Sequence, residues 1–212
     1  MLILSIDSSQ PVGSVTLARA DAQGYKLIDT VQAHGGKFSA QLIPTVKRLL
    51  EAHNIEKSHI DVIAAANGPG TFTGLRVGLA AVKALAEILQ KPIVTVSVLE
   101  AVSFYDDDPT IAIVEAGKGF WYVGFDSPEK REEHHFNLEQ MLAFVAQHRW
   151  IRVRAIGSLP MELKDGAAQV DGAMSEIIAK IAAIKAARKE FTEIDALDAN
   201  YVRPDEALYK TS

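Results

Sequence analysis

One order of predicted elements recurs along the chain, and it constrains the fold more than any other feature of the sequence. The first half predicts a strand pair, a third strand, a helix, a strand, a helix and a strand, at residues 2–7, 13–18, 25–31, 42–50, 60–66, 74–90 and 92–98. The second half predicts three strands, a helix, a strand and a helix, at residues 110–116, 120–125, 134–136, 138–148, 152–156 and 175–189. We therefore expect an α/β fold in which one unit is used twice.

The acidic segment Asp106-Asp107-Asp108-Pro109 separates the two series and is the best candidate for a domain boundary. An acidic run before a proline is more typical of a solvated linker than of a cation site. We expect a first lobe over residues 1–104 and a second, smaller lobe over residues 109–212.

Composition places the chain in a broad class before any chemistry is considered. Of its 212 residues, 48% are hydrophobic and 23% charged, which is typical of soluble globular proteins, and none is cysteine, which excludes disulfides and thiolate metal sites. The longest relevant uncharged stretch, 62–75, is broken by glycines and a proline, so no transmembrane helix is expected. The N-terminus has neither a basic flank nor a cleavage motif, which predicts an unprocessed cytoplasmic protein.

Charge is unevenly divided between the two halves. Residues 1–104 have a net charge of +1, and residues 105–212, which hold nearly twice as many charged side chains, have a net charge of −6. A charge-poor half predicts a surface that something covers. Neither half is basic, so the sequence predicts no strong autonomous binding to nucleic acid.

A glycine-rich segment, residues 68–79, is the most distinctive motif. It joins a predicted strand to a predicted helix, where free N–H groups at a helix start suit a phosphate. It is neither a Walker A loop nor the dinucleotide fingerprint, because no Gly-Lys-Ser/Thr follows and the glycine spacing differs. A strand-to-helix turn with Thr71 or Thr73 as the N-cap is the structural alternative.

The end of the first strand offers a second polar feature. Asp7, followed by two serines, could hold a magnesium ion or a phosphate, and an Asx turn explains the same residues. The candidate phosphate or nucleotide site therefore consists of Asp7, Ser8, Gly68, Gly70, Thr71 and Gly74.

Other catalytic patterns are missing from the sequence. It contains no nucleophile elbow, no His-Glu-x-x-His and no histidine pair at helical spacing, and adjacent His134 and His135 of a predicted strand point to opposite faces. We therefore assign no catalytic and no metal-ligating residue.

The predicted helix 74–90 is apolar around most of its circumference. Its charged residues Arg76, Lys83 and Glu87 lie on one narrow stripe, which predicts burial on more than one side. The side of this helix that does not face the sheet could be covered by the helix 42–50, by the second lobe or by a protein partner. The candidate partner interface consists of Leu42, Val46, Leu49, Leu75, Arg76, Leu79, Val82, Lys83 and Leu89.

Three segments resemble the TsaB (YeaZ) family of bacterial proteins: residues 3–9, Ser39 followed by Leu42-Ile43-Pro44, and residues 68–78. The Phe72-Thr73-Gly74-Leu75-Arg76 stretch separates that family from its paralogue TsaD, which shares only the Gly-Pro-Gly portion. The resemblance is strong over residues 1–104 and weaker through 111–125 and the tail 201–203.

The resemblance implies the fold of the actin, sugar-kinase and heat-shock ATPase superfamily. This fold has two duplicated ribonuclease H-like lobes, each a mixed five-stranded sheet flanked by helices, here with a reduced second lobe. The resemblance also implies a non-catalytic scaffold that activates TsaD, pairs with it through the first-lobe helices, and is joined by the ATPase TsaE. A homodimer through the same helices is implied when TsaD is absent.

The implied pathway is tRNA modification. TsaD transfers a threonylcarbamoyl group to the adenosine next to the anticodon in tRNAs reading ANN codons, so this chain would meet tRNA only through the complex. No cofactor is implied for the chain itself: ATP would be bound by its partners, and weak nucleotide binding at a vestigial site stays open.

The sequence departs from the family pattern at a few places. Phe38 and Ala40 replace the usual His and Glu, and residues 115–119 replace the commoner Asp-Ala-Arg-x-Gly-Glu. An active ATPase or small-molecule kinase, with Asp7 holding magnesium, is the alternative function. A metallopeptidase has no support, because the sequence offers no metal triad and no activated nucleophile.

Overall fold

The computed structural model describes residues 1–33, 38–104, 108–127, 129–148 and 151–202. By their contacts they form two units. The first unit comprises Met1–Ser97 and Gly172–Ala199, and the second comprises Val98–Asp171 and the described residues from Asn200 onward. The predicted boundary residues Asp106 and Asp107 lie outside the described residues, as does Arg203 of the tail.

The first unit is built on a five-stranded mixed sheet. Its elements are β1 (Leu2–Asp7), β2 (Gly13–Asp21), β3 (Gly24–Ala33), α1 (Phe38–Ala52), β4 (Val62–Gly68), α2 (Phe72–Leu89), β5 (Ile93–Ser97) and, later in the chain, α5 (Met174–Ala187). The strand order is β3-β2-β1-β4-β5, with the first three antiparallel and β4 and β5 parallel to β1.

The second unit repeats this sheet. Its elements are α3 (Val98–Ser103), β6 (Thr110–Gly117), β7 (Phe120–Asp126), β8 (Arg131–Asn137), α4 (Leu138–Gln147), β9 (Arg152–Ile156) and β10 (Ala167–Gln169). The order β10-β9-β6-β7-β8 is the first sheet's order written in reverse, with β6 in the place of β1. Two mixed five-stranded sheets flanked by helices confirm the predicted fold class.

Burial explains why β1 lies at the centre of its sheet. All six of its residues are buried, because successive side chains point to opposite faces and each face is covered. Leu4 and Ile6 belong to the core beneath α1 and α2, together with Ile63 of β4 and Val82 of α2. The opposite face, which includes Ser5 and Asp7, is therefore the side on which polar residues enter the sheet.

The C-terminal helix requires a correction to the predicted lobes. The prediction placed residues 175–189 in a second lobe over 109–212, whereas α5 packs on the first sheet. The Ser175 hydroxyl lies 2.7 Å from the Thr16 hydroxyl, and the Ser175 N–H donates to Ser14 Oγ at 3.2 Å. Helical periodicity shows that a helix is buried, but it cannot show which sheet buries it.

Two short elements were not predicted, namely α3 and β10. Each has three to six residues, too few to give a periodic pattern that can be distinguished from a loop. Among the helices of the described residues, none combines the length and the apolar character that crossing a membrane requires.

Candidate functional site

The candidate nucleotide site centres on the turn that follows β1. Asp7 is fully buried, and its Oδ1 accepts hydrogen bonds from both the backbone N–H and the hydroxyl of Ser9, at 2.9 and 2.6 Å. This is the Asx-type arrangement that the sequence offered as an alternative. Asp7 Oδ2 is also buried and accepts no hydrogen bond from the described residues.

Burial changes the acidity of this carboxyl group. Desolvation disfavours the carboxylate and raises the pKa of Asp7 to about 6, against the opposing effect of the two hydrogen bonds from Ser9. A buried carboxyl group with one unpaired oxygen could take a proton or a cation. In the described part of the chain, however, no group of three or more His, Cys, Asp or Glu side chains could hold a metal ion.

The glycine-rich segment packs directly on this turn. The Thr71 N–H donates to the Ser9 carbonyl at 2.7 Å, and the Ser8 hydroxyl donates to the Gly74 carbonyl at 2.9 Å. Thr71 is the N-cap residue of α2, as the structural alternative predicted, but its side chain makes no capping hydrogen bond. The structure thus brings Asp7, Ser8, Gly70, Thr71 and Gly74 together around one turn, while Gly68 ends β4 just before it.

The predicted partner interface falls mostly inside the first unit. Six of its nine side chains are buried in the chain's own interior: Leu42, Val46, Leu49, Leu75, Leu79 and Val82. These residues hold α1 and α2 on the sheet, and none of them is more than 7% exposed. Lys83 and Leu89 are half-buried, and the Arg76 guanidinium lies 3.8 Å from the centre of the Phe72 ring.

The exposed side of α2 is formed by other residues. Exposed residues recur at every fourth position of the helix, at Phe72, Arg76, Ala80, Ala84 and Ile88, and this stripe turns about 160° around the helix from its first to its last residue. Ile88 is 74% exposed and Ile43 on α1 is 48% exposed, which is unusual for isoleucine. We call the α2 stripe and Ile43 together the outer face.

A groove of about 430 Å³ lies between the two helices. Ile43, Val46, Leu85, Ile88 and Leu89 contribute its apolar walls, and Lys47, Glu51 and Lys57 contribute charged side chains. Sequence reasoning missed Ile43 and Ile88, because leucines and isoleucines occur all around both helices. The four-residue spacing from Phe72 to Ile88 was the available signal.

Comparisons with known proteins agree with one another. The model of the family "TsaD: tRNA N6-adenosine threonylcarbamoyltransferase" matches residues 31–131. The TsaB protein of Bacillus subtilis is 32% identical over 127 residues, covering 58% of this chain and 54% of that protein. A tRNA N6-adenosine threonylcarbamoyltransferase from Sphingopyxis alaskensis is 40% identical over 73 residues, covering 34% of this chain and 21% of that protein.

The fold comparison extends over nearly the whole chain. A Pseudomonas aeruginosa protein described as similar to peptidase YEAZ superposes with a TM-score of 0.70 at 21% identity, covering 95% of this chain and 99% of that one. YeaZ from Pseudomonas aeruginosa superposes with a TM-score of 0.68 at 20% identity, covering 94% and 99%. The chain spans about half the length, or less, of the curated relatives it matches. In sequence the chain is thus similar to the Bacillus subtilis TsaB protein and, over residues 31–131, to the TsaD family, and its fold is that of the two Pseudomonas aeruginosa structures.

Proposed function

We propose that this chain is a non-catalytic subunit in the threonylcarbamoylation of tRNA, and that it acts by binding a TsaD protein through the outer face. TsaD would perform the transfer, and TsaE would join the assembly. The exposed apolar face on α1 and α2 is the observation on which the proposal depends.

The exposed apolar side chains of this face favour contact with a partner protein. Surface isoleucines that lie together on one face and line a groove mark a protein contact more often than they mark free surface. The small side chains Ala80 and Ala84 sit between the bulky ends of the stripe, so a partner helix could approach the α2 backbone closely. Charged groups at the groove, from Lys47, Glu51 and Lys57, would select the register of the partner.

The distribution of charge supports an indirect role with tRNA. The chain has a net charge of −5, and a protein that holds tRNA by itself needs clustered lysine and arginine. The tRNA would therefore be held by the partner. When TsaD is absent, a second copy of this chain would cover the outer face and form a homodimer.

Binding to TsaD from the same organism is the decisive experiment. We expect Ile88→Glu to weaken the complex by about a hundredfold, because it introduces a charge into the apolar wall of the groove. Met161→Glu is the matched control, since Met161 is 82% exposed and belongs to the second unit. Equal binding by wild type and Ile88→Glu would contradict the proposed surface.

A measurement in cells tests the pathway. In cells depleted of this chain, the wild type should restore threonylcarbamoyladenosine in tRNA, and Ile88→Glu should not. If depletion leaves the modification unchanged, the proposed function is wrong whatever the chain binds.

An active ATPase or small-molecule kinase is the second candidate function, and the unpaired Asp7 Oδ2 favours it. That oxygen could face a magnesium ion bound to a nucleotide. Calorimetry with ATP and magnesium, followed by a phosphate-release assay, separates the two functions. Heat of binding together with hydrolysis that Asp7→Asn abolishes would support the enzymatic function. The absence of both binding heat and hydrolysis would exclude it.

A further inference from the structure

Three glycines share one neighbour, the turn formed by Ser8 and Ser9: Gly70 just before α2, and Gly74 and Gly78 in its first two turns. A Cβ on Gly70 would overlap the Ser9 carbonyl, and a Cβ on Gly74 would overlap the Ser8 carbonyl. A Cβ on Gly78 would overlap the Ser8 hydroxyl and lie 2.9 Å from Ser8 Cβ. Each glycine is therefore required by the close approach of this turn.

Polar contacts hold the turn and the helix together. Ser8 Oγ donates to the carbonyl of Gly74 in the first turn of α2, and the same oxygen fills the space beside Gly78 one turn later. Because Ser8 is buried, this hydrogen bond is shielded from competing water. One serine side chain thus contacts two successive turns of the helix.

The contact lies on the side of α2 opposite Arg76 and Ala80, two residues of the outer face. Gly74 precedes Arg76 by two residues and Gly78 precedes Ala80 by two, which is about 200° around a helix. The first half of α2 is therefore supported by the Ser8–Ser9 turn on the side away from Arg76 and Ala80. Any added volume at the glycines would push this half of the helix away from the turn.

We propose that Ser8 is a positioning residue for partner binding, and that Gly70, Gly74 and Gly78 serve to seat α2 against the Ser8–Ser9 turn. The inference depends on the proposed function, because it concerns the surface that binds TsaD. The same turn also takes up one N–H group at the start of α2, because the Thr71 N–H donates to the Ser9 carbonyl and is not free for a phosphate.

A size exchange tests the contact directly. We expect Gly78→Ala to weaken TsaD binding about tenfold. The double variant Ser8→Gly with Gly78→Ala should restore the affinity to within about threefold of that of Ser8→Gly alone, because Ser8→Gly removes both atoms that the new methyl group would overlap. Gly74→Ala should not be rescued by Ser8→Gly, because its overlap is with a backbone carbonyl. Ser8→Ala, which only removes the hydroxyl, should weaken binding by about threefold to tenfold.

Two controls separate positioning from general stability. Gly166→Ala adds a methyl group where no atom lies within 4 Å, and should change nothing. Gly124→Ala adds a methyl group 2.9 Å from Leu99 Cβ in the second unit, and should lower stability without changing TsaD affinity. Affinities are compared at a temperature where circular dichroism shows each variant folded, and Ser8→Ala replaces Gly78→Ala if the latter does not fold.

Hydrogen exchange of the α2 amides provides a readout that does not depend on TsaD. Gly78→Ala should accelerate exchange in α2, and the double variant should restore it. If the wild type does not bind TsaD but this rescue occurs, the proposed function fails and the seating of α2 stands. If Gly78→Ala, or Ser8→Ala in its place, binds and exchanges like the wild type, or if Ser8→Gly gives no rescue, the inference is wrong.

Discussion

The two units share a sheet but differ in their helices. In the first unit, long helices follow β3 and β4, and in the second unit α4 follows β8. Between β9 and β10, where α2 would have its counterpart, the described residues contain only the 3-10 turn Met161–Leu163. An outer face made by two adjacent helices therefore exists only in the first unit. We therefore expect partner binding through such a face to be a property of the first unit alone.

The margins of the two cores differ as well. Both cores contain fully buried aliphatic side chains, and in the first unit the partly buried residues packed around the core are aliphatic too. In the second unit, half-buried rings meet between β8 and α4: the Phe144 ring lies 5.3 Å from the His134 ring and 5.6 Å from the Phe136 ring. Since half-buried rings still contact water, each contributes less on folding than a fully buried side chain.

Truncating one core side chain in each unit should give the largest effect. We expect Ile63→Ala in β4 to lower the free energy of unfolding by about 3 kcal/mol, because a fully buried side chain leaves a cavity. Phe136→Ala in β8 should cost about 1 to 2 kcal/mol, because the ring is half-exposed. Urea unfolding measures both values, and equal losses would show that the second core is as tightly packed as the first.

The ends of β1 and β6 offer the next comparison. Asp7 is buried with its pKa raised to about 6, whereas Glu115, near the end of β6, is exposed and accepts a hydrogen bond from the Ser158 N–H at 2.9 Å. A raised pKa means that the folded state holds the proton more tightly than the unfolded state does. The contribution of Asp7 to stability is therefore full below its ordinary pKa and is lost as the pH rises through about 6.

Asp7→Asn should remove this pH dependence. Between pH 4 and pH 8 the wild type should lose about 2 kcal/mol of stability relative to Asp7→Asn, since each unit of pKa shift corresponds to about 1.4 kcal/mol. Glu115→Gln, which removes an exposed carboxyl group near the end of β6, is the control. A difference between the wild type and Asp7→Asn that stays constant over this range would show that Asp7 titrates normally in the folded protein.

Strand positions were predictable because hydrophobic runs and turns determine them locally. Residues 152–156 were predicted with the observed bounds, and β1 matched as well. The assignment of α5 to the first sheet was not predictable, because it depends on the contact between Thr16 and Ser175, which lie far apart in sequence. Local periodicity carries no information about such pairings.

For the candidate site, the sequence identified the segments but not their relation. It predicted that Asp7, Ser8 and the glycines matter, and it left open whether they meet a ligand or each other. The overlaps of Gly74 and Gly78 with Ser8 are visible only after folding. Similarly, the sequence located the apolar helices but assigned the buried Leu75 and Val82 to the interface instead of Ile88.

A glycine contact in the second unit should give a smaller effect. Gly124 on β7 lies against α3, and an added methyl group would be 2.9 Å from Leu99 Cβ. We expect Gly124→Ala to cost about 1 to 2 kcal/mol, because the backbone of α3 must shift to accommodate it. Thermal unfolding measures the loss, with Gly166→Ala as the control that fills open space. An unchanged melting temperature would show that α3 adjusts freely.

The smallest effect should come from the hydrogen bond between Asp29 on the edge strand β3 and His53, the residue that follows α1. His53 Nε2 lies 2.8 Å from Asp29 Oδ2 on β3, and the hydrogen bond with His53 is the main cause that lowers the pKa of Asp29. Because folding lowers the pKa of Asp29, its carboxylate stabilises the folded state above the ordinary pKa of aspartate. This stabilisation is lost as the pH falls through the lowered pKa. Because the Asp29 side chain is 42% exposed, we expect Asp29→Asn to cost only about 0.5 kcal/mol at neutral pH and less in high salt. Urea unfolding at low and high salt measures this, with Glu51→Gln in the solvent-exposed Lys47–Glu51 pair as the control. A loss that salt does not reduce would mean that the contact acts through packing of α1 on β3, and the first unit would then depend on this edge more than its buried core suggests.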